Sequence, residues 1–192
     1  MDYNLFQIQT LEQSGHFENI FKIFAKKVNK QCHAMMDSAY IKAHRAASTC
    51  ACKDKDRKIG TSGGGKTTKL HILRNEEGIP FKYIITGGEV HDVKMALELL
   101  GKSPIKGLIA DKAYCLKEAR DELERRNIEI CFLPKSNRKF PWPYDKKLYR
   151  KRHKVENIFA KLKDPKGIAF RMRRCAQTFT SFESITLIKL YF

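Results

Sequence analysis

Residues 107–114 read GLIADKAY, a short apolar run that ends in an acid. The run Gly107–Ala110 predicts a buried strand, and Asp111 falls where that strand ends. A second acid, Asp37, follows the apolar residues 34–36 in what we predict to be another strand. A carboxylate at the mouth of a buried strand is costly unless it is paired or binds a cation. The two acids would converge if their strands are neighbours in one sheet.

The rest of the sequence alternates helical and strand patterns. The predicted elements are a helix over 4–30, a strand over 33–43, a Gly-rich loop over 45–66, strands over 67–74 and 79–86, helices over 91–100 and 116–126, a strand over 128–133, a basic loop over 137–145, a helix over 146–163 and a helical tail over 176–192. A strand and a hairpin followed by alternating helices and strands predict an α/β fold, with helices on the faces of a mixed sheet.

The charge of the chain is strongly positive. Its 192 residues include 38 Lys and Arg against 21 Asp and Glu, a net charge of +17. A field of that sign favours a polyanionic partner, either nucleic acid or an anionic membrane surface. No apolar run approaches the roughly 20 residues of a spanning helix, and no secretory signal peptide is recognisable. We therefore predict a soluble, cytoplasmic protein that associates with nucleic acid and not with a membrane.

Residues 60–67 read GTSGGGKT and fit the phosphate-binding loop pattern Gly-x-x-x-x-Gly-Lys-Thr. Such a loop needs a buried strand before it and a helix N-terminus after it, so that backbone amides converge on phosphates. Here residues 52–58 are a charged run, and the residues after Lys66 alternate as a strand. We therefore reject a nucleotide site, and the ATPase it would imply, in favour of a Gly-rich loop beside DNA.

The six cysteines are scattered along the chain. Cys50 and Cys52 flank a single residue, with His33 and His44 upstream, but no pair has the two-residue spacing of a zinc knuckle. Reduced cytosolic thiols are the better interpretation of these cysteines than a metal site.

The predicted helix over 146–163 carries four polar side chains at offsets of 0, 3, 7 and 14, namely Tyr149, Arg152, Glu156 and Lys163. At roughly 100° per residue they fall within an arc of about 60°. One helix face therefore presents a phenol, a guanidinium, a carboxylate and an ammonium. A solvated face with an Arg152–Glu156 pair explains the helix equally well when it is taken alone.

Asp37 and Asp111 favour the functional interpretation of that face. A carboxylate from a helix packed across the ends of two neighbouring strands would complete an all-oxygen site of the kind that Mg²⁺ prefers. Two metal ions about 3.5–4 Å apart can activate the attacking oxygen and stabilise the leaving one in an in-line displacement at phosphorus. The surrounding positive charge would hold a DNA backbone.

With these residues in place, the chain resembles the DDE transposases of bacterial insertion sequences. It resembles the group whose helix carries a Tyr-(2)-Arg-(3)-Glu-(6)-Lys signature, and every spacing is kept here. Further stretches that resemble the family, in order along the chain, are 36–38, 42–44, 67–71, 86–88, 91–92, 111–114 and 134–138. The resemblance covers roughly residues 15–185, so coincidence is a poor explanation.

The resemblance implies a ribonuclease H-like fold, a mixed sheet with helices on both faces. Asp37 would lie on its first strand, Asp111 on its fourth and Glu156 on a late helix. These three residues would be catalytic and bind two Mg²⁺ ions, for which Mn²⁺ can substitute. The residues expected to contact DNA are Tyr149, Arg152, Lys163, Lys112 and Arg138. Asp92 would be a supporting residue or a cap of the helix near His91, and His153 a surface residue.

The resemblance also suggests how the chain is organised. Residues 1–33 would be an N-terminal helical remnant or linker, 34–175 the catalytic domain, and 176–192 a C-terminal helix packed on it. Related full-length proteins carry an N-terminal DNA-binding region before the first aspartate, so the chain resembles the second-frame product of a two-reading-frame element. Its expected partners are transposon-end and target DNA, other copies of itself in the DNA complex, and the first-frame DNA-binding product.

The leading prediction is therefore a transposase that cleaves DNA strands and transfers them at insertion-sequence ends. One alternative is an inactive or truncated copy that acts only as a DNA-binding protein. Another is a nuclease of the same fold without strand transfer, since water and a DNA 3′-hydroxyl would use the same metals.

Overall fold

The structure is a computed structural model that describes residues 14–48, 57–114, 117–133, 144–150, 152, 159–160, 162 and 169–192. Its strands are β1 (His33–Ala43), β2 (Gly60–Ser62), β3 (Gly65–Arg74), β4 (Pro80–Gly87), β5 (Gly107–Ala110), β6 (Glu129–Phe132) and β7 (Phe170–Arg171). Its α-helices are α1 (His16–Lys27), α2 (Arg45–Ser48), α3 (Asp92–Leu100), α4 (Lys117–Arg125), α5 (Lys146–Arg150) and α6 (Ala176–Ile188), with 3₁₀ turns at Lys112–Tyr114 and Lys189–Tyr191.

The sheet has β1 at its centre. On one side β1 pairs antiparallel with β3, which pairs in turn with β4 and with the short β2. On the other side β1 pairs parallel with β5, and β5 pairs parallel with β6. An antiparallel hairpin on one flank and two parallel strands on the other confirm the predicted ribonuclease H-like mixed sheet.

Helices cover both faces of the sheet, as predicted. Successive side chains of a strand point to opposite faces, and β1 shows this at Met35 and Met36. Met35 packs in a cluster with Ile109 and with Leu148 of α5. Met36 belongs to the larger cluster that contains Leu99 of α3 and Leu123 of α4, together with Ala34 and Leu108. We call the side of Met35 the α5 face and the side of Met36 the α3 face.

Helices α1 and α6 pack together against the edge strand β4. Phe21 of α1 makes an edge-to-face contact with Tyr83 of β4, with 5.0 Å between ring centroids. The hydroxyl groups of Tyr83 and Ser184 of α6 are 2.5 Å apart. Gln177 of α6 donates a hydrogen bond of 2.7 Å to Glu18 of α1. These contacts join α1 and α6 to the hairpin side of the sheet.

The predicted Gly-rich loop over 45–66 is wrong in two places. Residues Arg45–Ser48 form α2, and β2 and β3 form a hairpin in which β3 begins at Gly65, two residues earlier than predicted. Hydroxyl pairing stabilises this hairpin, since Thr67 Oγ1 donates a 2.9 Å hydrogen bond to Ser62 Oγ. Gly65 has a φ of 91°, which glycine adopts without strain. Lys66 lies within β3, so the predicted strand is confirmed here, in place of the helix N-terminus that a phosphate-binding loop requires.

The other predicted elements are present where the structure describes them. Residues 4–13 of the predicted N-terminal helix lie outside the described residues, and so does most of the predicted helix over 146–163. From that segment the structure describes α5, helical residues at 159–160 and 162, and Arg152 in a turn. The prediction of a helix is therefore wrong at Arg152. No described helix is long and apolar enough to cross a bilayer.

Candidate active site

The two aspartates converge because β1 and β5 are parallel neighbours. Met36 pairs with Ala110 at the end of β5, so Asp37 and Asp111 are the next residues of two adjacent strands. β1 continues beyond this point to Ala43, and the short strand β7 pairs with its last two residues, Lys42 and Ala43. The two aspartates therefore lie at the point where β5 ends and β1 continues without it.

One guanidinium group links both carboxylates. Arg152 Nη2 lies 3.3 Å from Asp37 Oδ2 and 3.8 Å from Asp111 Oδ2. Arg152 Nη1 donates a hydrogen bond of 3.4 Å to the hydroxyl of Tyr149. Tyr149 also packs edge-to-face on Tyr144, with 5.6 Å between ring centroids. Arg152, which lies in a turn, and Tyr149 of α5 thus meet the two acidic strand ends on the α5 face.

The backbone fixes each carboxylate in the same way. The amide of Ser38 donates a 2.8 Å hydrogen bond to Asp37 Oδ1, and the amide of Lys112 donates a 2.6 Å hydrogen bond to Asp111 Oδ1. In both aspartates the following residue therefore holds Oδ1, while Oδ2 is the oxygen nearest Arg152. The matching orientation directs two oxygen ligands toward one point.

Burial and the positive charge of Arg152 have opposite effects on the pKa of Asp37. Burial raises the pKa of its carboxyl group, and Asp111 raises it further, whereas Arg152 and the Ser38 amide lower it. Burial works to lower the pKa of Arg152, but Asp37, Tyr149 and Asp111 together raise it. At Asp37 burial outweighs the neighbouring cation, so the pKa of its carboxyl group stays above the usual value, whereas the neighbours of Arg152 raise its pKa and favour its charged form.

Arg74 is a second cation near Asp37 that sequence reasoning missed. It ends β3, is buried, and lies opposite Met35, to whose sulfur its Nη2 donates a hydrogen bond of 3.1 Å. Burial lowers the pKa of Arg74 to about 10, and the charge of Asp37 opposes that shift. Its only signal in the sequence is a charged residue at the end of an otherwise apolar strand.

On the α3 face, Asp92 belongs to a buried polar cluster. Lys69 Nζ lies 2.8 Å from Asp92 Oδ1 and 3.2 Å from the hydroxyl of Tyr40, and His71 Nδ1 lies 3.4 Å from Asp92 Oδ1. Burial lowers the pKa of His71 to about 4, so this ring is neutral at pH 7. Asp92 is the first residue of α3, and the capping position is His91, whose side chain makes no capping hydrogen bond. Asp92 thus ties α3 to β3.

The remaining predicted site residues divide in two. Lys112 is exposed beside Asp111. The others lie outside the described residues, namely Glu156, Lys163, Arg138, His153, Cys50 and Cys52. His33 and His44 stand at opposite ends of β1 and have other contacts. His33 lies 2.9 Å from both Glu76 and Glu129. The His44 ring accepts a hydrogen bond from the backbone amide of Ala46.

Comparison with known proteins places the chain in a family. A model of the transposase DDE domain matches residues 28–188. The chain belongs to the transposase DDE domain family. It is 34% identical over 119 residues to a Brucella ovis protein named as a transposase for the insertion sequence element IS6501, a match that covers 60% of this chain and 88% of the relative.

Solved transposase structures are similar to this DDE domain only at low identity. The Mos1 strand transfer complex is similar over 95% of this chain and 58% of that chain, with 13% identity and a TM-score of 0.44. The Mos1 transposase catalytic domain with raltegravir and Mg is similar over 93% of this chain and 89% of that chain, with 15% identity and a TM-score of 0.32. This chain thus spans less than two thirds of the Mos1 chain in the strand transfer complex.

The described part of the candidate site fits a hard divalent cation. Two carboxylates present Oδ2 atoms that a single nitrogen of Arg152 reaches, and oxygen is the donor that Mg²⁺ prefers. The described residues contain no group of three His, Cys, Asp or Glu side chains that could hold a metal. A third carboxylate for this pair would have to come from beyond them, and Glu156 is the sequence's candidate.

Proposed function

We propose that this DDE domain catalyses metal-dependent cleavage and transfer of DNA strands at insertion-sequence ends. The convergence of Asp37 and Asp111 at the ends of two parallel strands carries the proposal, because it supplies two of the three carboxylates that the chemistry needs. The net charge of +17 supports a polyanionic substrate. The family match over residues 28–188 supports the reaction class.

In this proposal Asp37, Asp111 and Glu156 hold two Mg²⁺ ions, or Mn²⁺ in their place. When bound there, such ions would activate the attacking oxygen and stabilise the leaving oxygen at phosphorus. The protein's contribution is orientation, because the amides of Ser38 and Lys112 fix Oδ1 and set the direction of Oδ2 before any ligand arrives. Preorganised ligands avoid the cost of ordering them during the reaction.

The DNA backbone would be held by basic and polar side chains around the acids. Arg152 and Tyr149 already lie at the carboxylates, and Lys112 is exposed beside Asp111. Lys163 and Arg138 complete the proposed set of DNA contacts. The proposed partners are transposon-end and target DNA, further copies of this chain in the DNA complex, and a first-frame DNA-binding product.

The test is nicking of labelled element-end DNA in Mg²⁺ or Mn²⁺ by the wild-type chain, Asp37→Asn and Asp111→Asn. Asparagine keeps an oxygen that accepts the backbone amide but lacks the negative charge. Both variants should lose nicking by orders of magnitude and still bind the DNA. The matched control is Asp121→Asn, since Asp121 is exposed on α4, and it should cut at the wild-type rate. Equal nicking by all four proteins would overturn the proposal.

A further inference from the structure

The guanidinium of Arg152 occupies the position toward which Asp37 and Asp111 direct their Oδ2 atoms. Its Nη2 reaches Asp37 Oδ2 at 3.3 Å and Asp111 Oδ2 at 3.8 Å. Each Oδ1 is already engaged by a backbone amide. The same two Oδ2 atoms are therefore the ones that the guanidinium contacts and that a metal ion would need.

A divalent cation and this guanidinium cannot both stay at the pair. Mg²⁺ binds carboxylate oxygens at about 2.0–2.1 Å. The Arg152 nitrogen, which is hydrogen-bonded to Asp37 Oδ2 and ion-paired with Asp111 Oδ2, would then lie close to a doubly charged ion. Like charges repel strongly in a partly buried site. Arg152 is partly buried, since its side chain is only 18% exposed. Metal binding at both oxygens therefore requires the guanidinium to move away.

A DNA phosphate offers the displaced guanidinium a new partner. Arginine pairs readily with phosphate oxygens in a forked geometry. Arg152 Nη1 faces the hydroxyl of Tyr149, which is three residues earlier in the chain. A rotation of the Arg152 side chain about its own bonds would move it from the carboxylates toward a bound strand while the aspartates remain fixed.

We propose that Arg152 couples metal binding to DNA binding at this site. In the absence of DNA its guanidinium competes with the metal for Asp37 and Asp111. A bound phosphate draws the guanidinium away, so the carboxylates bind the metal more tightly when a strand is in place. This coupling rests on the proposed function, because it requires that the two aspartates hold a metal. By linkage, the metal must strengthen DNA binding by the same factor.

The experiment measures the dissociation constant of Mn²⁺ by calorimetry for the wild-type chain and for Arg152→Gln, each with and without a short DNA duplex. Without DNA, Arg152→Gln should bind Mn²⁺ about tenfold more tightly than wild type, within the 5–150-fold range of typical couplings. DNA should tighten Mn²⁺ binding by the wild-type chain by a similar factor and should change that of Arg152→Gln little.

Two further variants separate competition from general charge and from the proposed function. Arg150→Gln removes one exposed positive charge at the end of α5, two residues before Arg152, and its Mn²⁺ affinity should match wild type. Asp37→Asn should lose Mn²⁺ binding. If Asp37→Asn loses binding but Arg152→Gln binds as wild type does, the metal site stands and the coupling is wrong. If Asp37→Asn binds as wild type does, the metal site of the proposed function is itself wrong, and the coupling is wrong with it.

A measurement on the unmodified chain guards against a folding defect in Arg152→Gln. The NMR signal of the Arg152 Nε–Hε group reports the surroundings of the guanidinium. Titration with Mg²⁺ should shift that signal, since the group leaves the carboxylates. A signal that stays constant while Mg²⁺ saturates the site would overturn the coupling.

Discussion

Asp37 and Asp111 reach the same arrangement from different local structures. Asp37 lies within β1, whereas Asp111 stands at the junction of β5 and a 3₁₀ turn. In each case the next amide fixes Oδ1, so the backbone and not a neighbouring side chain sets the orientation of the carboxylate. An aspartate held this way loses little freedom when it binds a ligand, which is the property expected of a preorganised site.

Glu183 of α6 is a buried carboxyl group that the proposed chemistry does not use. It is fully buried, and no described side chain or amide donates a hydrogen bond to either of its oxygens. Burial raises its pKa to about 8, although Arg171 and Arg173 lower it. The native protein therefore keeps Glu183 protonated at pH 7, where the unfolded chain would ionise it.

We predict that Glu183→Gln stabilises the protein above about pH 5. The native carboxyl group binds its proton more tightly than the unfolded one. Glu183 therefore lowers the unfolding free energy of the wild type increasingly as the pH rises from about 4.5 to about 8, and by a constant amount above that. Glutamine mimics the protonated form and removes this dependence. The gain in unfolding free energy should reach a few kcal/mol near pH 8, as measured by urea unfolding from pH 5 to pH 9.

The control for this prediction is Glu118→Gln, because Glu118 is exposed on α4. Its unfolding free energy should follow the wild-type pH dependence. A Glu183→Gln variant whose stability difference from wild type is the same at pH 5 and pH 8 would show that Glu183 is already ionised in the folded protein.

At the scale of elements, the contact between α3 and β3 rests on a buried ion pair. Lys69 of β3 is 3% exposed and lies 2.8 Å from Asp92 at the start of α3. The ammonium group also lies 4.5 Å from the ring centroid of Tyr40, which belongs to β1. The pair therefore joins a helix to the central two strands of the sheet, directly behind the face that carries the acids.

We predict that Asp92→Asn destabilises the protein by about 3 kcal/mol, because removal of one partner leaves a buried charge uncompensated. Replacement of both partners, as in Lys69→Met with Asp92→Leu, should recover most of that loss, since two apolar groups need no pairing. Urea unfolding of wild type, Lys69→Met, Asp92→Leu and the double variant gives the interaction energy, and Asp92→Asn is measured beside them. Strictly additive losses would show that the pair does not interact.

At the scale of the whole molecule, the order of strands determines where the site forms. β5 stops at Ala110 while its neighbour β1 runs on to Ala43, so the sheet ends unevenly beside its central strand. The α5 face places Tyr149 and Arg152 over that step. If β5 were not paired with β1, the chain would still contain Asp37 and Asp111, but the two carboxylates would not lie together.

The sequence predicts most of this architecture because local patterns encode it. β1 and β5 have the predicted bounds. The apolar run of β5 ends at Asp111, whereas β1 continues past Asp37 to Ala43. Their adjacency is a tertiary property, and only the family resemblance anticipated it. The β2–β3 hairpin was missed because hydroxyl pairs such as Thr67–Ser62 give no apolar signal. Arg74 was missed because its burial depends on pairing between β1 and β3.

The central claim is that Glu156 joins Asp37 and Asp111 in one catalytic metal site. The most direct measurement is Mg²⁺- or Mn²⁺-dependent nicking and joining of labelled element-end DNA by the wild-type chain, Glu156→Gln and the control Glu118→Gln. The wild type and the control should yield nicked and strand-transfer products, whereas Glu156→Gln should bind the DNA and yield neither. Equal product from Glu156→Gln and wild type would contradict the claim, because Glu156 would then not be the third ligand.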